Sequence, residues 1–267
     1  MLHLRSISVR PNDKSGFPFN LTLVRDFAPL QLESPVTFFT GENRTGKSTL
    51  LEAIAASANL PTAGGSDIEH DETLSGPRRL GEQLRLGWTK RTRRGFFLRA
   101  EDFFRFGQRI NATQKELGDL AAQYENELET DPTNAEGIKR ARGYVLGQKS
   151  ALESKYGANA DARSHGEAFL HFFEQRLVPN GLYLLDEPEA PLSPLRQLAF
   201  LSLLKRFVAL DCQFLITTHS PILMAFPGAV LLDFNSHPIA PIAYDEIEHV
   251  SLTRAFLNSP DAFLRRL

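Results

Sequence analysis

One short segment, Gly41-Glu42-Asn43-Arg44-Thr45-Gly46-Lys47-Ser48, constrains the fold of this chain more than any other feature. It follows the apolar run that ends at Thr40, which predicts a strand, and it precedes a helical pattern in which Leu50, Leu51 and Ile54 share one side. The spacing fits G-x-x-x-x-G-K-[ST], in which backbone N–H groups wrap a phosphate at a helix N-terminus. A glycine turn that merely caps a helix is the alternative, and the flanking strand and helix disfavour it.

The chemistry of this segment, called the phosphate loop below, assigns roles to its side chains. Lys47 would reach the β and γ phosphates of a nucleotide, and the Ser48 hydroxyl would ligate Mg²⁺. The sequence therefore predicts ATP and Mg²⁺ as ligands, with Lys47 also a catalytic candidate. The candidate nucleotide-binding residues are Gly41, Glu42, Asn43, Arg44, Thr45, Gly46, Lys47, Ser48 and Thr49.

A second candidate element is the apolar run Leu182 to Leu185, which predicts a strand and ends in Asp186 and Glu187. Residues at the carboxyl ends of parallel strands face the ligand crevice. Asp186 is predicted to hold the Mg²⁺ shell, and Glu187 to polarise the water that attacks the γ-phosphate. Alone, a strand followed by two acids is common, but together with the phosphate loop the pattern is specific.

A third element is the run Leu215 to Ser220, again a strand whose end carries polar side chains. His219 in this run is a candidate catalytic residue. A histidine at such a place is often only a hydrogen-bonded structural residue, and the functional interpretation depends on the order of the three elements along the chain.

Strands and helices alternate through most of the chain, which predicts an α/β fold: a mainly parallel sheet flanked by helices, with an N-terminal antiparallel β subdomain and a helical insertion. We expect a single domain over residues 1–267, with the insertion at about 104–165. Apolar residues at helical spacing and a break at Asp131-Pro132 predict a helical hairpin between Thr113 and Gly157.

Local patterns make further predictions. The runs 2–9, 19–27 and 30–40 indicate strands, and Pro61 is expected to end the helix after the phosphate loop. Residues 62–77 have loop composition. The runs 83–89 and 95–100 flank a basic turn and predict a β-hairpin, while 166–177, 194–210 and a segment opened by Ser259-Pro260 indicate helices.

The sequential order of phosphate loop, acidic strand end and Thr217-Thr218-His219-Ser220 resembles that of ABC-type ATPases of the group related to SMC and recombination-repair ATPases, often described as AAA-family ATPases. The resemblance covers most of the chain. In that family a Leu-Ser-Gly-Gly signature followed by Gln or Glu precedes the acidic strand, and here Arg163-Ser164-His165-Gly166-Glu167 stands in its place. The resemblance implies that Ser164, Gly166 and Glu167 contact nucleotide, although Arg163 and His165 depart from the pattern.

Two further positions depart from the family. Ser193 stands where an aspartate usually ends the loop after the acidic strand, so communication across a dimer is expected to differ. The expected glutamine after the strand 95–100 is absent. Glu101 is our candidate for a metal-proximal or water-proximal substitute, and Gln108 is a more distant one.

The resemblance also implies a homodimer closed by ATP, because the signature of one subunit covers the nucleotide of the other. It further implies ATP hydrolysis in DNA repair, maintenance or defence, with DNA or an effector protein as partner. One alternative is the nucleotide-binding subunit of a membrane transporter, which the missing glutamine and altered signature disfavour. The other is a scaffold that binds nucleotide with little turnover, which Glu187 disfavours.

Composition limits the partners. A net charge of -2 and a pI near 6.4 give no overall attraction to nucleic acid or anionic lipid, and the cluster Lys90, Arg91, Arg93 and Arg94 is more typical of a solvated turn than of a DNA site. The single cysteine, Cys212, is expected in the core. No apolar run predicts membrane insertion and no signal peptide is evident, so a cytoplasmic location is expected. Phe19 and Arg5 are possible adenine contacts, although an aromatic residue at such a position is more often part of the core.

Overall fold

Two separate sheets hold the strands of the computed structural model, which describes residues 2–10, 15–63, 75–130, 134–156 and 165–265. The larger sheet has six strands in the order β5-β6-β7-β3-β8-β9. The first five strands in this order are mutually parallel, and β9 is antiparallel to β8. The strands are β3 (Val36–Thr40), β5 (Gly95–Arg99), β6 (Leu182–Asp186), β7 (Gln213–Thr217), β8 (Val230–Asp233) and β9 (Ala240–Pro241).

Ten α-helices lie in the described ranges. They are α1 (Thr22–Arg25), α2 (Lys47–Ala58), α3 (Ser75–Gly81), α4 (Ala100–Thr130), α5 (Ala135–Tyr156), α6 (His165–Arg176), α7 (Pro194–Val208), α8 (Pro221–Met224), α9 (Glu248–Asn258) and α10 (Pro260–Leu264). A 3₁₀ turn, Tyr244–Glu246, precedes α9. The predicted α/β class with a mainly parallel, helix-flanked sheet is confirmed.

The parallel sheet is apolar on both of its faces, as expected for strands covered by helices. One face packs with Phe169, Phe173 and Phe200 of α6 and α7, and the other packs with Leu51 and Ile54 of α2. Within β6, Tyr183 belongs to the first cluster and its neighbour Leu184 to the second, because successive side chains of a strand point to opposite faces. Cys212 is a buried free thiol, as predicted.

The smaller sheet has the order β2-β1-β4 and is antiparallel, which confirms the predicted N-terminal β subdomain. Its strands are β1 (Leu4–Val9), β2 (Leu30–Gln31) and β4 (Leu84–Trp88). The predicted hairpin of 83–89 with 95–100 is wrong, since β4 pairs with β1 whereas β5 pairs with β6. The basic turn therefore joins two sheets rather than two paired strands.

Four other local predictions need correction. The run 30–40, predicted as one strand, is divided between β2 of the smaller sheet and β3 of the larger sheet. The run 19–27 contains the short helix α1 instead of a strand. In the predicted loop 62–77, residues 64–74 lie outside the described part of the chain, and Ser75 opens α3, with Pro77 tolerated in the first turn. Helix α2 ends at Ala58, before Pro61, because Asn59 adopts the left-handed conformation (φ 53°) and closes the helix.

Helices α4 and α5 pack against each other as the predicted helical hairpin. Helix α4 follows β5 without a linker and has 31 residues, so it is about 46 Å long. The predicted break at Asp131-Pro132 lies outside the described residues. Near the C-terminus the helix α10 confirms the Ser259-Pro260 prediction, whereas α9 was not predicted.

Candidate functional site

Parallel pairing places the three predicted elements at one edge of the larger sheet. Strand β3 enters the phosphate loop, β7 lies directly beside β3, and β6 lies beside β7. Register aligns Asp186 with Thr217 at the ends of β6 and β7. The phosphate loop, the acidic pair and the His219 segment therefore share the carboxyl edge, where ligands bind in open α/β sheets.

Backbone geometry explains the two glycines of the phosphate loop. Gly41 has a φ of 132°, and a Cβ there would lie 3.1 Å from the Asn235 side chain. Gly46 has a φ of 94° and is the residue before α2, where a Cβ would lie 2.6 Å from Leu23. Both positions favour glycine because other residues rarely adopt a positive φ. Asn235 was missed by the sequence analysis, and its Oδ1 accepts a hydrogen bond from the Glu42 N–H at 2.9 Å.

The Lys47 side chain lies inside the loop and is 5% exposed. Its Nζ donates to the carbonyl oxygens of Gly41 at 2.8 Å and Glu42 at 2.6 Å. Burial lowers the pKa of Lys47, while the negative charges of Glu187 and Asp186 act in the opposite direction. The ammonium thus lies within electrostatic range of both acids from β6.

Ser48 and Asp186 form an oxygen pair suited to a hard cation. The Ser48 hydroxyl donates to Asp186 Oδ1 at 3.0 Å, and the Thr217 hydroxyl donates to the same oxygen. Burial raises the pKa of Asp186, and these two hydrogen bonds oppose the shift. Mg²⁺ takes oxygen ligands and is usually bound by one or two protein oxygens plus substrate phosphates, so this donor set fits Mg²⁺.

Glu187 follows β6 in a left-handed backbone conformation with a φ of 50°. Its N–H is held by the backbone oxygen and the hydroxyl of Thr217, each at 3.1 Å. A positive φ is uncommon outside glycine and is typical of functional positions that the surroundings impose. The carboxylate remains about half exposed, so it is available to a water molecule.

His219 faces Glu187 across the same edge, with Nε2 3.8 Å from Glu187 Oε1. Burial lowers the pKa of His219 to about 4, and the charge of Lys47 adds to this effect. The ring is therefore neutral near pH 7. Its Nδ1 lies 3.3 Å from Nε2 of His249 on α9, a neighbour that sequence analysis did not single out.

Glu189 was also missed, although it belongs to the segment that follows β6. Its Oε1 accepts the backbone N–H of His219 at 2.7 Å, and the Thr218 hydroxyl donates to the same carboxylate. Burial raises the pKa of Glu189. This carboxylate therefore ties the loop after β6 to the loop after β7, and the second acid of the pattern Glu-Pro-Glu was the only available sequence signal.

A buried ion pair lies on the β5 side of the site. Arg99 at the end of β5 contacts Glu52 of α2 at 2.6 Å, and both side chains are nearly buried. Glu101, the candidate metal-proximal residue, is exposed and lies 3.6 Å from Arg99. The described contacts of Glu101 are thus with Arg99, and its role at a metal stays a prediction. Gln108 is exposed on α4.

The signature segment is partly described. Ser164 and Arg163 lie outside the described residues, whereas Gly166 and Glu167 open α6. Glu167 pairs with Arg196 of α7 at 2.6 Å, and a Cβ on Gly166 would lie 2.4 Å from the same arginine. These contacts hold α6 against α7 and do not involve the phosphate loop. Of the two possible adenine contacts, Phe19 is buried in the core and Arg5 is exposed, and contact with adenine stays a prediction.

The strand, glycine loop and helix, set beside an acidic strand end in a mainly parallel sheet, define a P-loop NTPase of the ABC-ATPase type. More specifically, the chain belongs to the family described as "AAA domain, putative AbiEii toxin, Type IV TA system", whose model matches residues 87–225, just over half of the chain. Fold and family support nucleotide binding and a general NTPase activity. Among curated proteins, none matches the chain.

Several solved structures are similar to the chain at low sequence identity. An SMC head domain from Thermotoga maritima is 17% identical, covers 91% of this chain and 100% of its own, and has a TM-score of 0.42. An Smc head from Pyrococcus furiosus bound to the C-terminal domain of ScpA is 11% identical, with coverages of 96% and 100% and a TM-score of 0.43. An ATP-binding cassette of an ABC transporter is 18% identical, with coverages of 97% and 98% and a TM-score of 0.47.

Membrane-spanning helices were also sought in the described ranges. None of the helices there is both long enough and apolar enough to cross a bilayer.

Proposed function

We propose that the protein binds ATP with Mg²⁺ and hydrolyses it to ADP and phosphate. The observation that carries this proposal is the convergence of Lys47, Ser48, Asp186, Glu187 and His219 at one sheet edge. These residues come from three separate segments of the chain, and each supplies a group that phosphoryl transfer needs.

Each side chain has a defined task in this proposal. Lys47 and the phosphate-loop N–H groups bind the phosphates, and Ser48 and Asp186 would hold Mg²⁺, which neutralises charge on the β and γ phosphates. Glu187 orients a water molecule and accepts its proton, since its carboxylate is accessible. Neutral His219 contributes a ring N–H to the same space.

We further propose that ATP closes a homodimer. The support is that a chain with one phosphate loop and one signature segment is half of two composite sites, as the family resemblance implies. Arg196 in the first turn of α7 pairs with Glu167 of the signature helix, and the nearby Leu195 and Leu198 of α7 are exposed. An apolar exposed turn of this kind fits a second copy of the chain as its cover.

Lysine replacement tests the nucleotide site. Lys47→Ala should lower the rate of phosphate release from Mg-ATP by about 100-fold or more, because a positioned charge at the transferring group is lost. Turnover is measured on purified protein, with Lys205→Ala, an exposed lysine on α7, as the matched control. Wild-type turnover in Lys47→Ala, or no nucleotide affinity in the native protein, would refute the proposal.

Dimer closure has its own test. Glu187→Gln should bind Mg-ATP and accumulate as a dimer, because hydrolysis no longer removes the γ-phosphate that bridges the subunits. The mass is measured by light scattering with saturating Mg-ATP, and Lys47→Ala should remain monomeric under the same conditions. A monomeric Glu187→Gln protein with nucleotide bound contradicts the dimer.

For the process, we propose DNA repair, maintenance or defence, with DNA as the partner. The four basic residues of the turn between β4 and β5 are all exposed, so they are available to phosphates: Lys90, Arg91, Arg93 and Arg94. Their joint replacement by glutamine should abolish DNA-stimulated turnover and flatten the salt dependence of DNA binding. Replacing the exposed pair Lys205 and Arg206 is the control. If native protein shows no DNA stimulation, an effector protein becomes the better partner.

A further inference from the structure

His249 lies beside His219 and can determine which of the two ring nitrogens of His219 carries the proton. Nδ1 of His219 lies 3.3 Å from Nε2 of His249, and the ring centroids are 5.0 Å apart at an interplanar angle of 56°. A neutral imidazole has one N–H and one acceptor nitrogen, so whichever nitrogen of His219 accepts from His249 leaves the proton on the other. The pair therefore couples a helix outside the sheet to the nitrogen that faces Glu187.

The surroundings of His219 Nε2 favour one of the two arrangements. This atom is buried, has no hydrogen-bond partner among the described residues, and lies 3.8 Å from Glu187 Oε1. A bare acceptor nitrogen there would face a carboxylate and, in the proposed reaction, the γ-phosphate. An N–H at the same place is attracted to either group, and a buried acceptor without a partner is costly.

Helix α9 holds His249 in place by its neighbours in sequence. Ile247 and Val250 are both buried, and Tyr244, three residues before Ile247, donates its hydroxyl to the Pro221 oxygen at 3.0 Å. His249 is thus carried on a short segment fixed at both ends to the core and to α8. Because Pro221 follows His219 by two residues, the same segment supports both rings.

We propose that His249 is a positioning residue that donates its Nε2–H to His219 Nδ1 and so keeps the proton of His219 on Nε2, directed at the reacting phosphate. This inference rests on the proposed ATPase function. It adds a residue of α9 to a site otherwise built from the ends of β3, β6 and β7 and the start of α2. The cavity of about 490 Å³ between α9 and the phosphate loop, lined by both histidines and by Glu42 and Asn43, leaves room for a ligand beside the pair.

Nuclear magnetic resonance tests the tautomer without requiring turnover. Protein labelled with ¹⁵N at histidine should show His219 protonated at Nε2 in the native chain, with the resonance assigned by its loss in His219→Ala. In His249→Leu the ¹⁵N resonance of His219 Nδ1 should move to the position of an acceptor nitrogen that has lost its donor, and in His249→Gln the native position should return, since the glutamine amide also donates. Native His219 protonated at Nδ1, or a His219 Nδ1 resonance that is unchanged in His249→Leu, would overturn the inference.

Kinetics supply the second arm. We expect kcat of His249→Leu to fall about tenfold, less than for loss of a direct donor, with KM for ATP changed by less than about twofold. His249→Gln should recover most of kcat, and His249→Leu should add nothing to His219→Ala. Arg254→Leu, which removes an exposed ion pair of the same helix, is the control for α9. If native protein shows the Nε2 tautomer but no ATP turnover, the ATPase proposal alone is refuted. If kcat falls equally in His249→Leu and His249→Gln, the proposed role of His249 is refuted.

Discussion

At the carboxyl edge of the six-stranded sheet, charged groups lie buried against one another, whereas along the α4–α5 hairpin they lie at the surface. Asp186 shares its oxygen with two hydroxyl donors, and Arg99 contacts Glu52 where both are nearly buried. On the hairpin, by contrast, the pair of Arg140 with Glu136 is more than 80% exposed. Buried charges need partners that the whole fold must supply, while exposed charges are satisfied by water.

The two regions also differ in how far apart their contacts lie along the chain. Ser48 and Asp186 are joined across 138 positions, and the edge exists only when β3, β6 and β7 are paired. The hairpin is held chiefly by contacts between two helices that follow one another. The comparison teaches that the site is a product of global folding, and the hairpin of local folding.

The largest expected difference concerns packing. Leu184→Ala, at a fully buried position of β6, should lower the free energy of unfolding by about 4 kcal/mol. Ile138→Ala on α5 should cost about 2 kcal/mol, since that position borders solvent and can relax. Chemical denaturation measures both. Hydrogen exchange should show faster exchange across the whole sheet for Leu184→Ala, but in α4 and α5 alone for Ile138→Ala. The same exchange pattern in both variants would contradict the distinction between global and local folding.

The next difference concerns pH. Burial raises the pKa of Glu52 to about 7 from an ordinary value of 4.5, despite the neighbouring Arg99. The folded state therefore binds this proton more tightly than the unfolded state, and the associated stability is full below pH 4.5 and is lost as pH rises through 7. Relative to native protein, Glu52→Gln should gain about 3 kcal/mol between pH 4.5 and pH 8.

Denaturation at several pH values checks this prediction. Glu101→Gln is the matched control, because Glu101 lies near the same arginine but is exposed. Parallel pH profiles for native protein and Glu52→Gln would show that burial does not govern this carboxyl.

The smallest expected effect is on the hairpin surface. Arg142 and Glu125 form an ion pair between α5 and α4 at 3.0 Å, and both side chains are at least a third exposed. Arg142→Ala should change the free energy of unfolding by about 0.5 kcal/mol or less. A double-mutant cycle with Glu125→Ala measures the coupling free energy of the ion pair. A coupling well above about 1 kcal/mol would show that charges on the hairpin contribute to stability as strongly as those at the sheet edge.

Sequence patterns predicted the elements that depend on local order. The phosphate loop, the acidic end of β6 and the strand before His219 were all located correctly, because a glycine spacing or an apolar run marks each one. A signal against the wrongly predicted pairing of β4 with β5 was present in the sequence. Strand β5 is a nearly continuous apolar run, as expected for a parallel strand, whereas apolar residues alternate with other residues in β4. The run 19–27 is predicted as a strand because it is rich in Val, Leu, Thr and Phe, but Thr22–Arg25 within it form the short helix α1.

The unpredicted part of the site consists of contacts between distant segments. No pattern marks Asn235 as the acceptor for the phosphate loop or His249 as the neighbour of His219, since each lies in a region without a motif. The same holds for Arg99 and Glu52, whose meeting follows from the position of β5 at the sheet edge. Such pairs emerge only when the strand order is known.

Helix α4 follows β5 directly, so its first turn lies next to the buried ion pair of Arg99 with Glu52, while its other end lies far from the sheet. A rotation of about 5° at that first turn would displace the far end of a helix about 46 Å long by roughly 4 Å. Because this displacement grows with helix length, the end of α4 near Thr130 would move much further than the residues around Glu52 and Arg99.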